Sequence, residues 1–201
     1  VYNFHEGNRA LAEMIRPHPC LSGLLFLNPN YLEASFREMD RYLNDDRFLG
    51  LGELYNGAYI GDQTIDGYGH KKILERMVKK FLQRLVLFHC WGDGIERLAT
   101  VAREFPEITF IAGHMGGPDF KRAAERLGVL DNVYLEICSS SPERGKIESV
   151  VQQVGAEKVV FGSDATLLNP AFVIGTVVES PLSDAEKTRI FYLNAKDLLG
   201  L

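Results

Sequence analysis

Six short apolar runs punctuate the chain, at residues 21–27, 48–54, 85–88, 108–112, 133–137 and 159–161. Polar or glycine turns follow them, and then segments whose apolar residues fall mostly three and four apart. These segments, at 31–43, 71–83, 94–104, 119–127 and 146–154, have the period of a helix with one buried face. Ile73, Met77, Val78 and Phe81 mark one such face. Alternation of this kind predicts βαβ units and a parallel sheet, because parallel neighbours need a crossover of a dozen or more residues. Near-continuous apolar strands agree, since parallel strands are buried on both faces. Pro118 falls just inside a helix start after Gly116-Gly117, where its missing N–H does no harm. Ser183, followed three residues later by Glu186, reads as a capping box for a last helix carrying Ile190, Leu193, Asn194 and Leu198. The opening from Val1 to His5 shows no clean start to any element, and the absence of an initial Met points to a chain without its natural N-terminus. One long loop, 55–69, is rich in Gly and Asp; with 165–171 it is the expected lining of a pocket.

Length and composition narrow the class. The 201 residues suit one domain, 1–201, able to bury a sizeable core. An apolar fraction of 46% excludes a disordered chain, and no apolar run nears the ~18 residues of a membrane span. A net charge of -5 without a Lys/Arg-rich block argues against nucleic acid as the main partner. The pairs Lys71-Lys72 and Lys79-Lys80 read as a solvated helix face. Three cysteines, Cys20, Cys90 and Cys138, are too few and odd in number for a disulfide framework, which favours a reducing cytoplasm.

The candidate chemistry collects at the strand ends. Glu53 follows Leu49-Gly50-Leu51-Gly52, His89 follows Leu85-Val86-Leu87-Phe88, His114 follows Phe110-Ile111-Ala112-Gly113, and Asp164 follows Val159-Val160-Phe161-Gly162-Ser163. Parallel α/β folds place their ligands at C-terminal strand ends. Two imidazoles with one or two carboxylates form a donor set for a divalent metal, which lowers the pKa of bound water while a nearby Asp or His moves the proton. Each residue also has a plainer reading. A His at a strand end is often a satisfied polar group, Glu53 could be a loop acid or an arginine's partner, and Asp164 could simply cap the next segment. Trp91 would line the same mouth and contact substrate, although packing explains it equally well. His5 and His70 read as non-functional, His18 as a solvated loop residue and Cys90 as core; Cys138 could reach the pocket, but nothing pairs it with a base. The chain contains no nucleophile elbow, no phosphate loop and no dinucleotide fingerprint.

Phe88-His89-Cys90-Trp91-Gly92, the segment from Ile111 through His114 to Gly117, Asn132-Val133-Tyr134-Leu135-Glu136, Val160-Phe161-Gly162-Ser163-Asp164 and Asn194 to Leu201 together resemble the amidohydrolase-related family of metal-dependent hydrolases. The branch is the one that includes aminocarboxymuconate-semialdehyde decarboxylase-like enzymes. Gly7-Asn8-Arg9 and residues 23–29 resemble that family's second-to-third unit, so the likeness spans nearly the whole chain. It implies an α/β fold, a (β/α)₈ TIM barrel of the metal-dependent hydrolase type, lacking its first one or two strands here. It also implies metal ligation by His89, by Asp164 and, for a second ion or for activation of water, by His114. Asp164 would handle the proton and His114 would stabilise the oxyanion. The ion would be zinc, or else manganese or iron, as one or two ions. Relatives carry a His-x-His pair on the first strand, and no such pair occurs in this sequence. Glu53 stands where relatives often have lysine and resembles the Gly-Glu motif of TatD-type nucleases, where a carboxylate binds metal. The resulting expectation is hydrolysis of a small amide, ester or lactone. Decarboxylation of a small unsaturated or aromatic acid, phosphodiester cleavage, and a non-catalytic barrel remnant are the rivals. Edges exposed by missing strands could be hidden in a homodimer; no membrane or nucleic-acid partner is expected.

Overall fold

The computed structural model describes residues 3–57, 61, 63–138, 143–165 and 167–200; parts of the loops 55–69 and 165–171 lie outside the described residues. Residues fall into two units, one of 1–89 with 100–110 and the other of 90–99 with 111–201.

In the first unit the elements run α1 (Phe4–Ile15), β1 (Gly23–Leu25), α2 (Leu32–Tyr42), β2 (Phe48–Leu54), α3 (Tyr68–Lys80) and β3 (Leu85–Trp91), whose last two residues enter the second unit. The three strands are parallel and adjacent in chain order, with Leu25 opposite Leu51 and Leu51 opposite Val86. Leu25, Leu51, Val86 and Phe88 are wholly buried, as strands covered on both faces require. Each such side chain contributes roughly 1.5–3 kcal/mol through apolar burial. The opening of the chain does start an element: Asn3 caps α1, its side chain accepting from the Glu6 N–H. Buried Asn8 on α1 then donates to the Phe26 carbonyl (3.0 Å) and to Glu38 of α2 (2.9 Å), and accepts from the Phe26 N–H (3.1 Å). His5 shares Glu38 at 2.8 Å, which gives it a packing role. Helix α3 begins three residues before the predicted 71–83 segment and stops at Lys80; Phe81 is its buried, extended C-cap.

The second unit carries β4 (Thr109–Gly116, from Ile111 onward), α5 (Phe120–Leu127), β5 (Val133–Glu136), α6 (Lys146–Val154), β6 (Val159–Val160), α7 (Pro170–Val178), α8 (Asp184–Thr188) and α9 (Asn194–Leu199). Helix α4 (Gly94–Glu104) starts here and ends in the first unit. Strands β4, β5 and β6 are neighbours in that order, with β5 and β6 parallel. Pro118 lies in a 3₁₀ turn (Gly117–Asp119) just before α5. The Ser183–Glu186 capping box forms as expected. A π-helical turn, Arg189–Leu193, joins α8 to α9 and presents the Ile190 carbonyl to the Phe161 N–H at 3.0 Å, fixing the chain beyond β6. Buried Asn194 donates to the Ala156 and Val159 carbonyls, both at 2.7 Å. Helix α7 escaped the periodicity reading because its apolar residues run almost without interruption, with Pro170 in its first turn.

His70, in the first turn of α3, is 1% exposed and its Nδ1 lies 2.8 Å from the Thr64 carbonyl. Burial pushes its pKa down to about 4. Below the ordinary value near 6.5 the unfolded chain takes up a proton that the folded chain refuses. Stability should therefore fall as the pH drops from about 6.5 to 4, by roughly 3 kcal/mol in all. Urea unfolding of wild type and His70→Gln across this range measures the effect: the variant's midpoint should slope less, and parallel slopes would contradict the assignment.

Candidate functional site

In the first unit Glu53 and His89 are brought together. Each occupies the C-terminal part of its strand, β2 and β3, where the apolar alternation gives way to polar residues. The Glu53 Oε1 lies 3.0 Å from His89 Nδ1, with both side chains about four-fifths buried. Tyr55, two residues on, donates its hydroxyl to Glu53 Oε2 at 2.9 Å, and its ring lies 5.2 Å from the His89 ring. An ionised carboxylate only accepts, so the hydrogen belongs on Nδ1 of His89 and the lone pair on Nε2. A carboxylate behind an imidazole is the usual support of a metal-ligating histidine. Glu53 is thus placed to orient His89. Tyr55 was not singled out from the sequence; its signal was adjacency to the strand end.

In the second unit His114 is buried, 9% exposed, and its backbone is left-handed. It opens a run of four such residues: φ is 64° at His114, 52° at Met115, 79° at Gly116 and 60° at Gly117. Glycine adopts this conformation freely, whereas the two residues with side chains each cost about 1–2 kcal/mol. The His114 Nδ1 lies 3.0 Å from the Cys138 carbonyl, which can only accept, so here too the lone pair sits on Nε2. The Trp91 ring meets the imidazole edge-on at 6.2 Å and 89°. It also lies against the α-carbon of Gly117, where a side chain's Cβ would come 2.7 Å from the indole. Asp164 is half-buried, four residues past β6, with φ of 51° and a carbonyl that accepts the Leu168 N–H at 2.9 Å.

Two further residues of this unit hold the His114 turn. Glu136 accepts the His114 N–H at 3.0 Å and the Cys138 N–H at 2.6 Å. Lys146, buried at the start of α6, donates to the Gly117 carbonyl at 3.0 Å, and burial lowers its pKa against the pull of Glu143, Glu136 and Cys138. The donor atoms of His114, Glu136 and Cys138 lie within 4.8 Å of one another. Both Glu136 oxygens nevertheless serve backbone N–H groups, which makes this group a brace. Cys90 is core as expected, its thiol pushed up to about 12 by burial. Among the described residues no helix is long and apolar enough to cross a membrane.

The amidohydrolase family model matches residues 4–201. The chain belongs to the amidohydrolase family. Solved structures similar to it include 2,6-dihydroxybenzoate decarboxylase from Rhizobium, at 16% identity and a TM-score of 0.76, with 98% of this chain and 76% of that one covered. The 5-carboxyvanillate decarboxylase of Novosphingobium aromaticivorans, solved with manganese and 3-methoxy-4-hydroxy-5-nitrobenzoic acid, matches at 16% identity and a TM-score of 0.77 over 98% of this chain and 70% of that one. A TIM-barrel protein from Bordetella bronchiseptica matches at 15% identity and a TM-score of 0.77, over 96% and 72% of the two chains. None of the curated protein sequences matches. The amidohydrolase chain thus has the fold of the parallel α/β barrel, over a span shorter than these relatives.

Replacing Glu53 by Ala should let the proton of His89 move toward Nε2 and weaken any binding of a divalent ion at His89 about 10–100-fold. Imidazole ¹⁵N shifts and metal titration read the two effects, and Gln, which can still accept from Nδ1, should preserve most of the affinity. Equal losses in both variants with an unchanged tautomer would mean that Glu53 is itself a ligand.

Proposed function

We propose that this amidohydrolase-family chain serves a metal-dependent, non-oxidative decarboxylation of a small hydroxylated aromatic or unsaturated acid. The observation that carries this reading is the fixed tautomer of His114. With Nδ1–H committed to the Cys138 carbonyl, Nε2 of the neutral ring is an acceptor, suited to taking a hydrogen bond or proton from a substrate hydroxyl. Stabilising an oxyanion, the role a hydrolase would ask of it, requires a donor at that atom. The decarboxylases among the similar structures support the same choice.

As ligands of a divalent ion, manganese or zinc, His89 is proposed in the first unit, with Glu53 behind it, and Asp164 in the second. The donors suit such an ion: in the first unit an imidazole Nε2 lone pair backed by a carboxylate, and in the second a carboxylate that follows β6. When bound, the ion would supply positive charge that stabilises the anionic substrate. Asp164, in its acid form, would give up its O–H proton to the carbon that bears the carboxylate and regain one from water. As the C–C bond breaks, its electron pair stays with that carbon and forms the new C–H bond, and carbon dioxide leaves. Trp91, 37% exposed, offers an aromatic face to the ring. The chain's three cysteines, too few for a disulfide framework, suit a reducing, cytoplasmic setting.

Hydrolysis of a small amide, ester or lactone is the second reading, favoured by the family itself. Incubation with Mn²⁺ and 2,6-dihydroxybenzoate or 5-carboxyvanillate separates the two. Decarboxylation should release one carbon dioxide per product and stop when a chelator removes the metal. Asp164→Asn should lower kcat at least 100-fold with an unchanged circular dichroism spectrum. Turnover of ester or lactone substrates without carbon dioxide would transfer the chain to the hydrolytic reading, and full activity in Asp164→Asn would remove that residue from either.

A further inference from the structure

The proposed decarboxylation gives Glu136 no chemical role, yet no other described carboxylate of the second unit is so placed. It ends β5, and its two oxygens accept from the backbone of two strand ends: His114 of β4 through Oε2 and Cys138, just beyond β5, through Oε1. Its side chain also lies against the α-carbon of Gly162, two residues before Asp164. A Cβ at 162 would overlap the Glu136 carboxylate and sit 2.9 Å from its Cγ. One carboxylate thus touches the ends of three consecutive strands, and two of them lead to the residues assigned the proton chemistry.

The bonds fall where the backbone is under strain. His114 and Met115 are left-handed residues with side chains, and the run continues through Gly116 and Gly117. Such a run persists only when its surroundings over-determine it. Glu136 secures its first N–H and Lys146 its last carbonyl, while the Cys138 carbonyl takes the His114 ring. Because the Cys138 N–H is held by the same carboxylate, Glu136 fixes both the backbone of His114 and the acceptor that sets its tautomer.

We propose that Glu136 is the positioning residue of this site: it holds the left-handed turn that aims His114 Nε2, and through Gly162 it sets the approach to Asp164. The inference rests on the role proposed for His114 in decarboxylation. Its chemistry requires a carboxylate, since both oxygens must accept. A glutamine of the same shape has one acceptor oxygen, and its NH₂ would face one of the two N–H donors.

The test compares wild type with Glu136→Gln and Gly162→Ala, the latter keeping the carboxylate but displacing it. In both, the His114 amide proton should move upfield as its charged acceptor is lost, and the imidazole ¹⁵N shifts should report a mixture of tautomers. Unchanged His114 signals in both variants would overturn the proposal. With 2,6-dihydroxybenzoate and Mn²⁺, Glu136→Gln should lower kcat at least 10-fold while leaving KM within about twofold. It should cost nothing more in a His114→Asn background, and an equal further loss there would mean that Glu136 acts on stability and not through His114. If Glu136→Gln does not fold, Gly162→Ala carries both readouts. Should wild type be inactive on every acid, the functional reading fails, and the His114 signals alone decide whether Glu136 holds the turn.

Discussion

A strand buried on both faces has nowhere along its length to keep a charge, and that constraint shapes everything functional in this chain. Leu51, Val86 and Phe88 occupy a dry interior, so Glu53 and His89 can stand only near the strand ends. At those ends the polar groups still sit largely out of water, and each must find a partner whose hydrogen-bonding sense is fixed. The consequence is chemical as well as structural, because the partner decides which nitrogen of an imidazole carries its hydrogen.

The same solution occurs in each unit. His89 gives its Nδ1–H to Glu53, and His114 gives its own to the Cys138 carbonyl. In both rings the lone pair is thereby assigned to Nε2, the state needed by a metal ligand or a base. The supports differ in kind. Glu53 is a charged acceptor reinforced by a phenol, whereas the support of His114 is a backbone carbonyl held in place by a second carboxylate, Glu136. The left-handed turn from His114 to Gly117 is the conformational cost of presenting that ring, and it is offset by Glu136, Lys146 and the packing of Trp91 on Gly117.

Much of the fold was legible in the pattern of apolar residues. The run 48–54 is β2 residue for residue, and the helical periods at 94–104 and 146–154 are α4 and α6. Periodicity failed where one signal masked another: α7 is apolar almost throughout, so no face stands out, and α1 starts on a cap that lies only three residues into the chain. The strand-end rule pointed to Glu53 and His89 in the first unit and to His114 and Asp164 in the second. It would have pointed to Glu136 as well had it been applied to β5, which ends in Tyr134-Leu135-Glu136. Lys146 carried no local signal, since only the tertiary fold brings the start of α6 to the Gly117 carbonyl. The family resemblance was right about the family and the fold, and the choice between hydrolysis and its rival, decarboxylation, rests on the role proposed for His114.

The most direct measurement is pulsed electron paramagnetic resonance on the Mn²⁺-loaded protein. The account predicts ¹⁴N modulation from the remote nitrogen of a coordinated imidazole, with its amplitude reduced when His89 is replaced by Gln. Modulation from water protons alone, or nitrogen coupling that survives His89→Gln at full strength, would contradict it.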